Sequence, residues 1–216
     1  MKPAIAGLYA ITPDLVDTGE LLRRVRAALE GGTQVLQYRN KAADATLRRE
    51  QALALRPLCT TAGVPLIIND HLELALECGA AGLHLGGGDG DIAAARARLG
   101  PHRLLGASCY DRIELAESAV AAGADHVAFG SFFPSTVKPG AVRPPSALIT
   151  RARQRLQVPV VAIGGITPQN APQLLDAGVD ALAVISAVFD AQDITAAANE
   201  FMKLFETRHE KKPETL

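Results

Sequence analysis

Short apolar runs alternate with longer amphipathic segments along the whole chain. Eight runs of four to seven residues have the length and composition of buried strands, and six intervening segments carry apolar residues at helical spacing. The strand-like runs span residues 5–11, 34–38, 65–68, 82–85, 103–107, 126–129, 158–163 and 181–185. The helix-like segments span residues 19–29, 46–61, 92–99, 112–122, 146–156 and 168–176. The pattern predicts a strand–helix unit that recurs through the chain.

A weak internal repeat supports this organisation. Four times, a glycine that follows a helix-like segment is succeeded by a strand: GGTQVLQY (31–38), CGAAGLHL (78–85), AGADHVAF (122–129) and AGVDALAV (177–184). Glycine at this position supplies the left-handed residue that ends a helix. Eight strands, each followed by a helix, predict an α/β protein with a single (β/α)8 TIM barrel over residues 1–206.

The alternative fold is an open, doubly wound parallel sheet, which also has glycines after its helices. The count of eight strands favours the barrel. So does the sequence YAITPD after the first strand, where a dinucleotide-binding sheet would carry GxGxxG. The last ten residues, 207–216, are polar and charged, and we expect them to form a disordered C-terminal tail.

Composition and charge narrow the classes of function. The 216 residues are 48% hydrophobic, and 22 basic against 23 acidic side chains leave a formal net charge of −1. With six Phe, three Tyr and no Trp, this balance argues against nucleic acid as a partner. No apolar run approaches the roughly 20 residues of a membrane span. Cys59, Cys78 and Cys109 are too few and too scattered for a disulfide framework or a zinc site, so we expect a cytoplasmic protein. A barrel of this size is compatible with a homo-oligomer.

Unusual polar residues collect where the strands of the predicted barrel end, which is where (β/α)8 enzymes hold their active sites. After the second strand, alternation places Gln37 and Arg39 on one face, with Lys41 just beyond the strand. The planar fork of Arg and the point charge of Lys suit a polyphosphate. The alternative is an ordinary charge cluster on the surface.

Two carboxylates follow the neighbouring strands. Asp70 comes after the third strand in IIND (67–70), and Asp89 comes four residues after the fourth strand. Opposite a basic group, they have the chemistry to hold Mg²⁺, which takes one or two carboxylates together with water and phosphate oxygens. The alternatives are a helix N-cap for Asp70 and a glycine-rich turn for Asp89, with Asp91 as the cap there. The coincidence of both carboxylates on adjacent strands favours the metal site.

The next two strand ends carry hydroxyl groups and a further cation. Ser108 lies at the end of the fifth strand, where its hydroxyl could donate a hydrogen bond to a phosphate or cap the next helix. Cys109 has no identifiable His–carboxylate partner, which argues against a nucleophile. The irregular stretch 130–145 after the sixth strand has the length of a lid. It holds Lys138, a candidate phosphate contact or else a solvated surface residue.

Glycines mark the loop after the seventh strand. Gly164 and Gly165 would let the backbone approach a ligand, although a tight turn also uses glycine. This loop and the one after the eighth strand, which begins with Ser186, together form the usual phosphate cup of the fold. His84 lies within the fourth strand, where we expect a core histidine.

Seven short motifs occur in a specific order and spacing. They are QYRNK (37–41), IIND (67–70), AAGLHLGGGD (80–89), GAS (106–108), ADHVAFGSFFPSTVK (124–138), AIGGI (162–166) and AVIS (183–186). Together they resemble the thiamine phosphate synthase family from about residue 7 to residue 205. Members of that family are (β/α)8 enzymes that join a hydroxymethylpyrimidine diphosphate to a thiazole phosphate and release pyrophosphate with Mg²⁺.

The resemblance implies roles for individual residues. The pyrimidine diphosphate would be held by Gln37, Tyr38, Arg39, Asn40, Lys41, Asn69, Ser108 and Lys138. Among these, the catalytic residues would be Arg39, Lys41, Ser108 and Lys138. The thiazole phosphate would be held by Ser135, Thr136, Val137, Gly165, Ile185 and Ser186, and Mg²⁺ by Asp70 and Asp89.

Three positions depart from the pattern of the family. Gly87 stands where the family usually has Gln, Tyr110 where it has His, and Val137 where it has the second Thr of T-x-T-K. Two alternative functions stay open on the sequence. One is a tautomerase or isomerase of a phosphorylated substrate, and the other is a non-catalytic binder of thiamine precursors. Tyr110 and the Asp70–Asp89 pair favour the synthase over the related thiazole tautomerase, which keeps the His.

Overall fold

The strands close into a parallel barrel. The computed structural model describes residues 2–88, 90–134 and 143–211. The strands are β1 (Gly7–Ile11), β2 (Val35–Tyr38), β3 (Leu66–Asn69), β4 (Gly82–Leu85), β5 (Leu104–Tyr110), β6 (His126–Phe129), β7 (Val160–Ile163) and β8 (Ala181–Val184). Each strand pairs in parallel with the next, and β8 returns to β1, where Ala183 lies opposite Tyr9. This closure confirms the predicted (β/α)8 barrel and excludes the open sheet.

Helices connect the strands around the outside of the barrel. Within the described residues they are α1 (Thr18–Glu30), α2 (Ala45–Ala62), α3 (Leu72–Glu77), α4 (Ile92–Leu99), α5 (Ile113–Ala121), α6 (Ala147–Arg155), α7 (Ala171–Asp176), α8 (Ser186–Phe189) and α9 (Ile194–Lys211). None of these helices has both the length and the apolar character needed to cross a membrane. The described part of α9 extends to Lys211, into the range 207–216 for which we expect a disordered tail, and residues 212–216 lie outside the described ranges.

Aspartates start four of the described helices. Asp17, Asp44, Asp91 and Asp193 each accept a hydrogen bond from the backbone N–H three residues later, at 2.7, 2.8, 3.0 and 2.9 Å. These bonds satisfy backbone donors that have no partner within the helix. The predicted cap at Asp91 is therefore confirmed.

Strand alternation divides the core into two layers. Side chains that point into the barrel form an inner apolar cluster that includes Tyr9, Val35, Ile67 and Val161. The alternate positions, such as Leu36, pack between the strands and the helices in a larger outer cluster. Both faces of each strand are thus buried, which explains why the strands appear in the sequence as continuous apolar runs.

Polar residues interrupt the inner layer toward the carboxyl ends of the strands. The register places Asn69 of β3 opposite His84 of β4, and His84 opposite Gly106 of β5. Gln37 on β2 and Ser108 on β5 are further polar residues that line the cavity described next. The fold therefore gathers polar groups from four strands inside one end of the barrel.

Candidate functional site

A cavity of about 1110 Å³ opens at the carboxyl ends of the strands. Its apolar wall includes Ile11, Val161 and Ile163, and its polar groups include Arg39 and Asn69. A site for one drug-sized ligand measures roughly 300–1000 Å³. The cavity therefore has room for two small substrates side by side.

Gln37 and Tyr9 form a buried polar pair in the cavity wall. The Gln37 Nε2 donates to the Tyr9 hydroxyl at 2.9 Å. Burial raises the pKa of Tyr9, so the phenol stays protonated and neutral. Because its amide nitrogen is engaged, Gln37 keeps its carbonyl oxygen as an acceptor for a ligand in the cavity. The predicted site position of Gln37 agrees with this geometry.

Ser108 is held by a histidine that we expected only in the core. The His84 Nε2 lies 2.9 Å from Ser108 Oγ, and both residues line the cavity. A second imidazole, His126, is fully buried with its ring centroid 5.7 Å from that of His84. Burial and the neighbouring His84 lower the pKa of His126 to about 3, so His126 is neutral at physiological pH. Ser108 thus sits above two neighbouring imidazole rings inside the barrel.

The predicted basic group is braced by residues of the β1–α1 loop. Arg39 Nη1 forms an ion pair with Asp14 Oδ1 at 3.1 Å, and the same oxygen accepts the Lys41 backbone N–H at 2.9 Å. The Thr12 hydroxyl donates to the Arg39 carbonyl and accepts its N–H at 2.8 and 2.9 Å. The sequence analysis missed Thr12 and Asp14, although the polar end of the first strand, TPD at 12–14, is a signal of the same kind.

Asp70 lies beside the basic group. A cleft of about 250 Å³ adjoins the main cavity, and Arg39, Lys41, Asn69 and Asp70 all line it. Asp70 adopts a left-handed backbone with φ of 62°. Its carboxylate accepts from Asn69 Nδ2 at 2.5 Å and from the Gly86 N–H at 3.2 Å. The N-cap position of α3 belongs to His71, so the alternative role of Asp70 as that cap is excluded.

Two further predicted contact residues, Tyr38 and Asn40, also line the adjoining cleft, and their side chains form hydrogen bonds within the protein. Tyr38 points outward into the layer between β2 and α2, where its hydroxyl donates to Gln51 Oε1 at 2.8 Å. Asn40 uses its whole amide locally: it donates to the Leu15 carbonyl and to Gln51, and its oxygen accepts the N–H groups of residues 42 and 43. These hydrogen bonds fix the shape of the loop after β2, and the contacts of both residues with a ligand stay predictions.

The glycines after β7 permit close packing of two loops. A Cβ on Gly164 would lie 1.9 Å from Ser131 Oγ, and a Cβ on Gly165 would lie 2.2 Å from the Pro134 carbonyl oxygen. Both glycines also line the cavity, together with Ile185 and Ser186. The structure therefore brings together the described residues of the predicted thiazole side, and it adds a packing reason for the two glycines.

Two departures from the family pattern contact each other. A Cβ on Gly87 would lie 2.6 Å from Tyr110 Cε2, so the Tyr110 ring takes the space that a side chain at position 87 would use. Tyr110 also lines the cavity and remains 45% exposed. Beside it, Cys109 is buried, and burial raises the pKa of its thiol to about 12, which removes it as a nucleophile at neutral pH.

Five predicted site residues lie outside the described residues. They are Asp89, Ser135, Thr136, Val137 and Lys138. Among the residues that the structure does describe, no group of three or more His, Cys, Asp or Glu side chains is arranged to hold a metal ion. Of the two predicted metal ligands, Asp70 lies among the described residues.

Known proteins resemble this chain over nearly its whole length. The family model described as thiamine monophosphate synthase matches residues 8–188. A thiamine-phosphate synthase from Azoarcus sp. is 55% identical over 95% of this chain and 100% of its own. One from Thiobacillus denitrificans is 52% identical over 95% of this chain and 97% of its own. A solved thiamine phosphate pyrophosphorylase from Pyrococcus furiosus is 34% identical, with a TM-score of 0.84 over 94% of this chain and 96% of its own.

Proposed function

Because this chain belongs to the thiamine monophosphate synthase family, we propose that its cavity joins a hydroxymethylpyrimidine diphosphate to a thiazole phosphate. The products are thiamine phosphate and pyrophosphate. One observation carries the assignment to this site: Arg39 and Asn69 line both the large cavity and the smaller cleft that holds Lys41 and Asp70. A substrate with an organic ring and a diphosphate fits such a pair of connected spaces.

The chemistry needs no nucleophilic side chain. The bond between the methylene carbon of the pyrimidine and the diphosphate oxygen breaks, and its electron pair leaves with the pyrophosphate. The aminopyrimidine ring delocalises the resulting positive charge until the thiazole nitrogen forms the new bond to carbon. The protein must therefore stabilise the departing anion and hold the two rings in line.

The residues divide this work between them. We assign the diphosphate to Arg39, Lys41 and Lys138, whose positive charges stabilise the leaving group. Gln37 would accept a hydrogen bond from the pyrimidine amino group through its remaining amide oxygen. If His84 donates from Nε2, the Ser108 hydroxyl is free to donate its own proton to the pyrimidine diphosphate. Gly165, Ile185 and Ser186 would bind the thiazole phosphate.

Asp70 has the donor chemistry that Mg²⁺ requires. Each carboxylate oxygen accepts one hydrogen bond among the described residues and retains a second lone pair. Hard oxygen donors beside a phosphate site fit Mg²⁺, and we propose that Asp70 and Asp89 ligate it. Bound there, the ion would neutralise charge on the diphosphate. We also propose a cytoplasmic location, which the free, buried cysteines support.

The activity is tested by mixing the purified protein with both phosphorylated substrates, with Mg²⁺ or with EDTA. We expect thiamine phosphate and pyrophosphate in equal amounts with Mg²⁺ and neither with EDTA. Turnover of a single substrate that survives EDTA would point to an isomerase or tautomerase. Binding of the substrates by calorimetry without pyrophosphate release would point to a non-catalytic binder.

The role of Asp70 is tested by the substitution Asp70→Asn. Removing one negative charge from the proposed metal site should lower kcat by at least about tenfold and raise the Mg²⁺ concentration needed for half-maximal rate. The melting temperature should fall by no more than a few degrees, because Asn tolerates the left-handed backbone at position 70 and its one amide oxygen can keep one of the two hydrogen bonds. Asp176→Asn, at an exposed position in α7, is the control. An unchanged Mg²⁺ dependence in Asp70→Asn would remove Asp70 from the metal site.

A further inference from the structure

Arg48 is a cation of the small cleft that the roles assigned above leave unused. It lies in the first turn of α2 and lines the cleft together with Arg39, Lys41, Asn69 and Asp70. The cleft measures about 250 Å³, below the roughly 300–1000 Å³ of a typical organic ligand site. That volume suits a small inorganic anion with a few water molecules.

The hydrogen bonds of Arg48 leave part of its guanidinium unexplained. Its Nη2 donates to the Ala43 carbonyl at 2.5 Å, which anchors one corner of the group. Its Nε is buried and has no hydrogen-bond partner among the described residues. A buried N–H without a partner is rare in folded proteins, and a ligand or a water molecule usually completes it.

Arg39 and Arg48 carry the same charge but differ in their ion pairs. Arg39 already pairs with Asp14 at 3.1 Å, so an anion that binds Arg39 shares it with a carboxylate. Within the described ranges, no carboxylate forms an ion pair with Arg48. Arg48 therefore brings to the cleft a positive charge that no described carboxylate contacts directly. Guanidinium groups bind phosphate oxygens with short, charge-assisted hydrogen bonds.

From these observations we infer that Arg48 is a further substrate-binding residue, which contacts the diphosphate of the pyrimidine substrate from the α2 side of the cleft. The inference rests on the proposed function, because it takes the cleft as the diphosphate site. It predicts that Arg48 matters for the diphosphate substrate and for pyrophosphate. It also predicts that Arg48 is indifferent to the thiazole phosphate, which we assign to the loops after β7 and β8.

The test compares Arg48→Gln with Arg49→Gln. Arg49 is the next residue of the same helix and pairs on the surface with Glu77 at 2.5 Å, so it controls for loss of charge at this end of the protein. In calorimetric titrations with inorganic pyrophosphate and Mg²⁺, Arg48→Gln should weaken binding about tenfold or more. Arg49→Gln should bind pyrophosphate as the unaltered protein does.

Kinetics separate a ligand contact from a purely structural role. Arg48→Gln should raise KM for the pyrimidine diphosphate about tenfold and leave KM for the thiazole phosphate unchanged. Loss of the hydrogen bond to Ala43 should lower the melting temperature by only a few degrees. Arg48→Lys, which keeps the charge without the fork, should recover part of the loss. Equal pyrophosphate affinities of the two Gln variants, or a parallel rise in both KM values, would overturn the inference. If the unaltered protein itself neither binds pyrophosphate nor forms product, the proposed function fails instead.

Discussion

At the scale of single residues, Gly106 controls the polar group around Ser108. A Cβ at this position would lie 2.2 Å from His126 Nε2 and 2.5 Å from His84 Nδ1. Neither imidazole can remain in place if position 106 carries a side chain, because both rings are enclosed in the barrel. The absence of a side chain at Gly106 therefore allows His84 to reach Ser108.

The substitution Gly106→Ala should accordingly damage both the site and the fold. We expect a loss of about 1–3 kcal/mol in the free energy of unfolding from overpacking. We also expect at least a tenfold fall in kcat/KM, because displacement of His84 releases the Ser108 hydroxyl. Urea unfolding and steady-state kinetics measure the two effects. Wild-type values in both would show that the rings can move aside without consequence.

The residues at the end of β2 show which side-chain positions a sequence pattern can predict. Alternation along β2 directs Gln37 and Arg39 toward the cavity, and the same rule turns the Tyr38 side chain toward α2, where it borders the adjoining cleft. The Asn40 amide nitrogen donates to Leu15 and Gln51, and neither residue is a neighbour of Asn40 in the sequence. Pairings of this kind, like that of Arg39 with Asp14, emerge only when the loops are placed in space.

At the scale of secondary-structure elements, a repeated aspartate joins neighbouring strand–helix units at the amino end of the barrel. Asp125, just before β6, accepts the Leu105 N–H at 2.8 Å and Arg96 Nη2 at 2.5 Å through one oxygen. Asp180, just before β8, accepts the Val160 N–H at 2.7 Å and pairs with Arg153 at 3.0 Å. The sequence repeat AGADHV and AGVDAL therefore has a structural cause beyond the glycine that ends each helix.

Substitutions at the second of these units should separate its two interactions. Asp180→Ala leaves the Val160 N–H without its side-chain acceptor, and we expect a loss of about 1–3 kcal/mol in the free energy of unfolding. Arg153→Ala removes a partly exposed ion pair and a long hydrogen bond to the Val158 carbonyl at 3.4 Å, and the expected loss is below about 1 kcal/mol. Urea unfolding of both variants measures whether the loss in Asp180→Ala is the larger one. Because the active site lies at the opposite end of the barrel, kcat should stay constant, and equal losses in the two variants would contradict this account.

The strand pattern predicts elements well where burial is complete. Every predicted strand overlaps an observed one, since a strand buried on both faces is a continuous apolar run. The predicted helical segments omit α3, α8 and α9, although they include the six-residue α7. For α8 the reason is length, because four residues are too few to establish a helical period. The predicted tail overlaps α9 because charged residues also occupy the exposed side of a helix that docks through Phe201 and Phe205.

At the scale of the whole molecule, barrel closure is what unites the motifs into one site. The predicted fold class, family and enzyme class are confirmed by the closed barrel and by relatives more than 50% identical. In an open sheet, the end of β2 and the loop after β7 would lie far apart. In the barrel, Arg39 and Gly165 line one cavity. The sequence motifs carry the order of these residues, whereas the cavity and the adjoining cleft follow from closure.

His126 should make the stability of the whole barrel sensitive to acid. Burial among Tyr9 and His84 lowers its pKa from the ordinary 6.5 to about 3, so between these values the unfolded chain binds a proton that the folded protein excludes. The stability is fully present above pH 6.5 and declines as the pH falls toward 3. Between pH 6.5 and 5, this one group should lower the free energy of unfolding by about 2 kcal/mol.

The substitution His126→Phe tests this linkage directly. Phe fills a similar volume without a titratable group, and neither ring nitrogen of His126 has a hydrogen-bond partner among the described residues to lose. Urea unfolding at a series of pH values should therefore show a shallower acid slope in the variant, with the two proteins differing by about one proton near pH 5. Parallel curves would mean that His126 is protonated in the folded barrel, paired with an anion or water that lowers the cost of burying its charge.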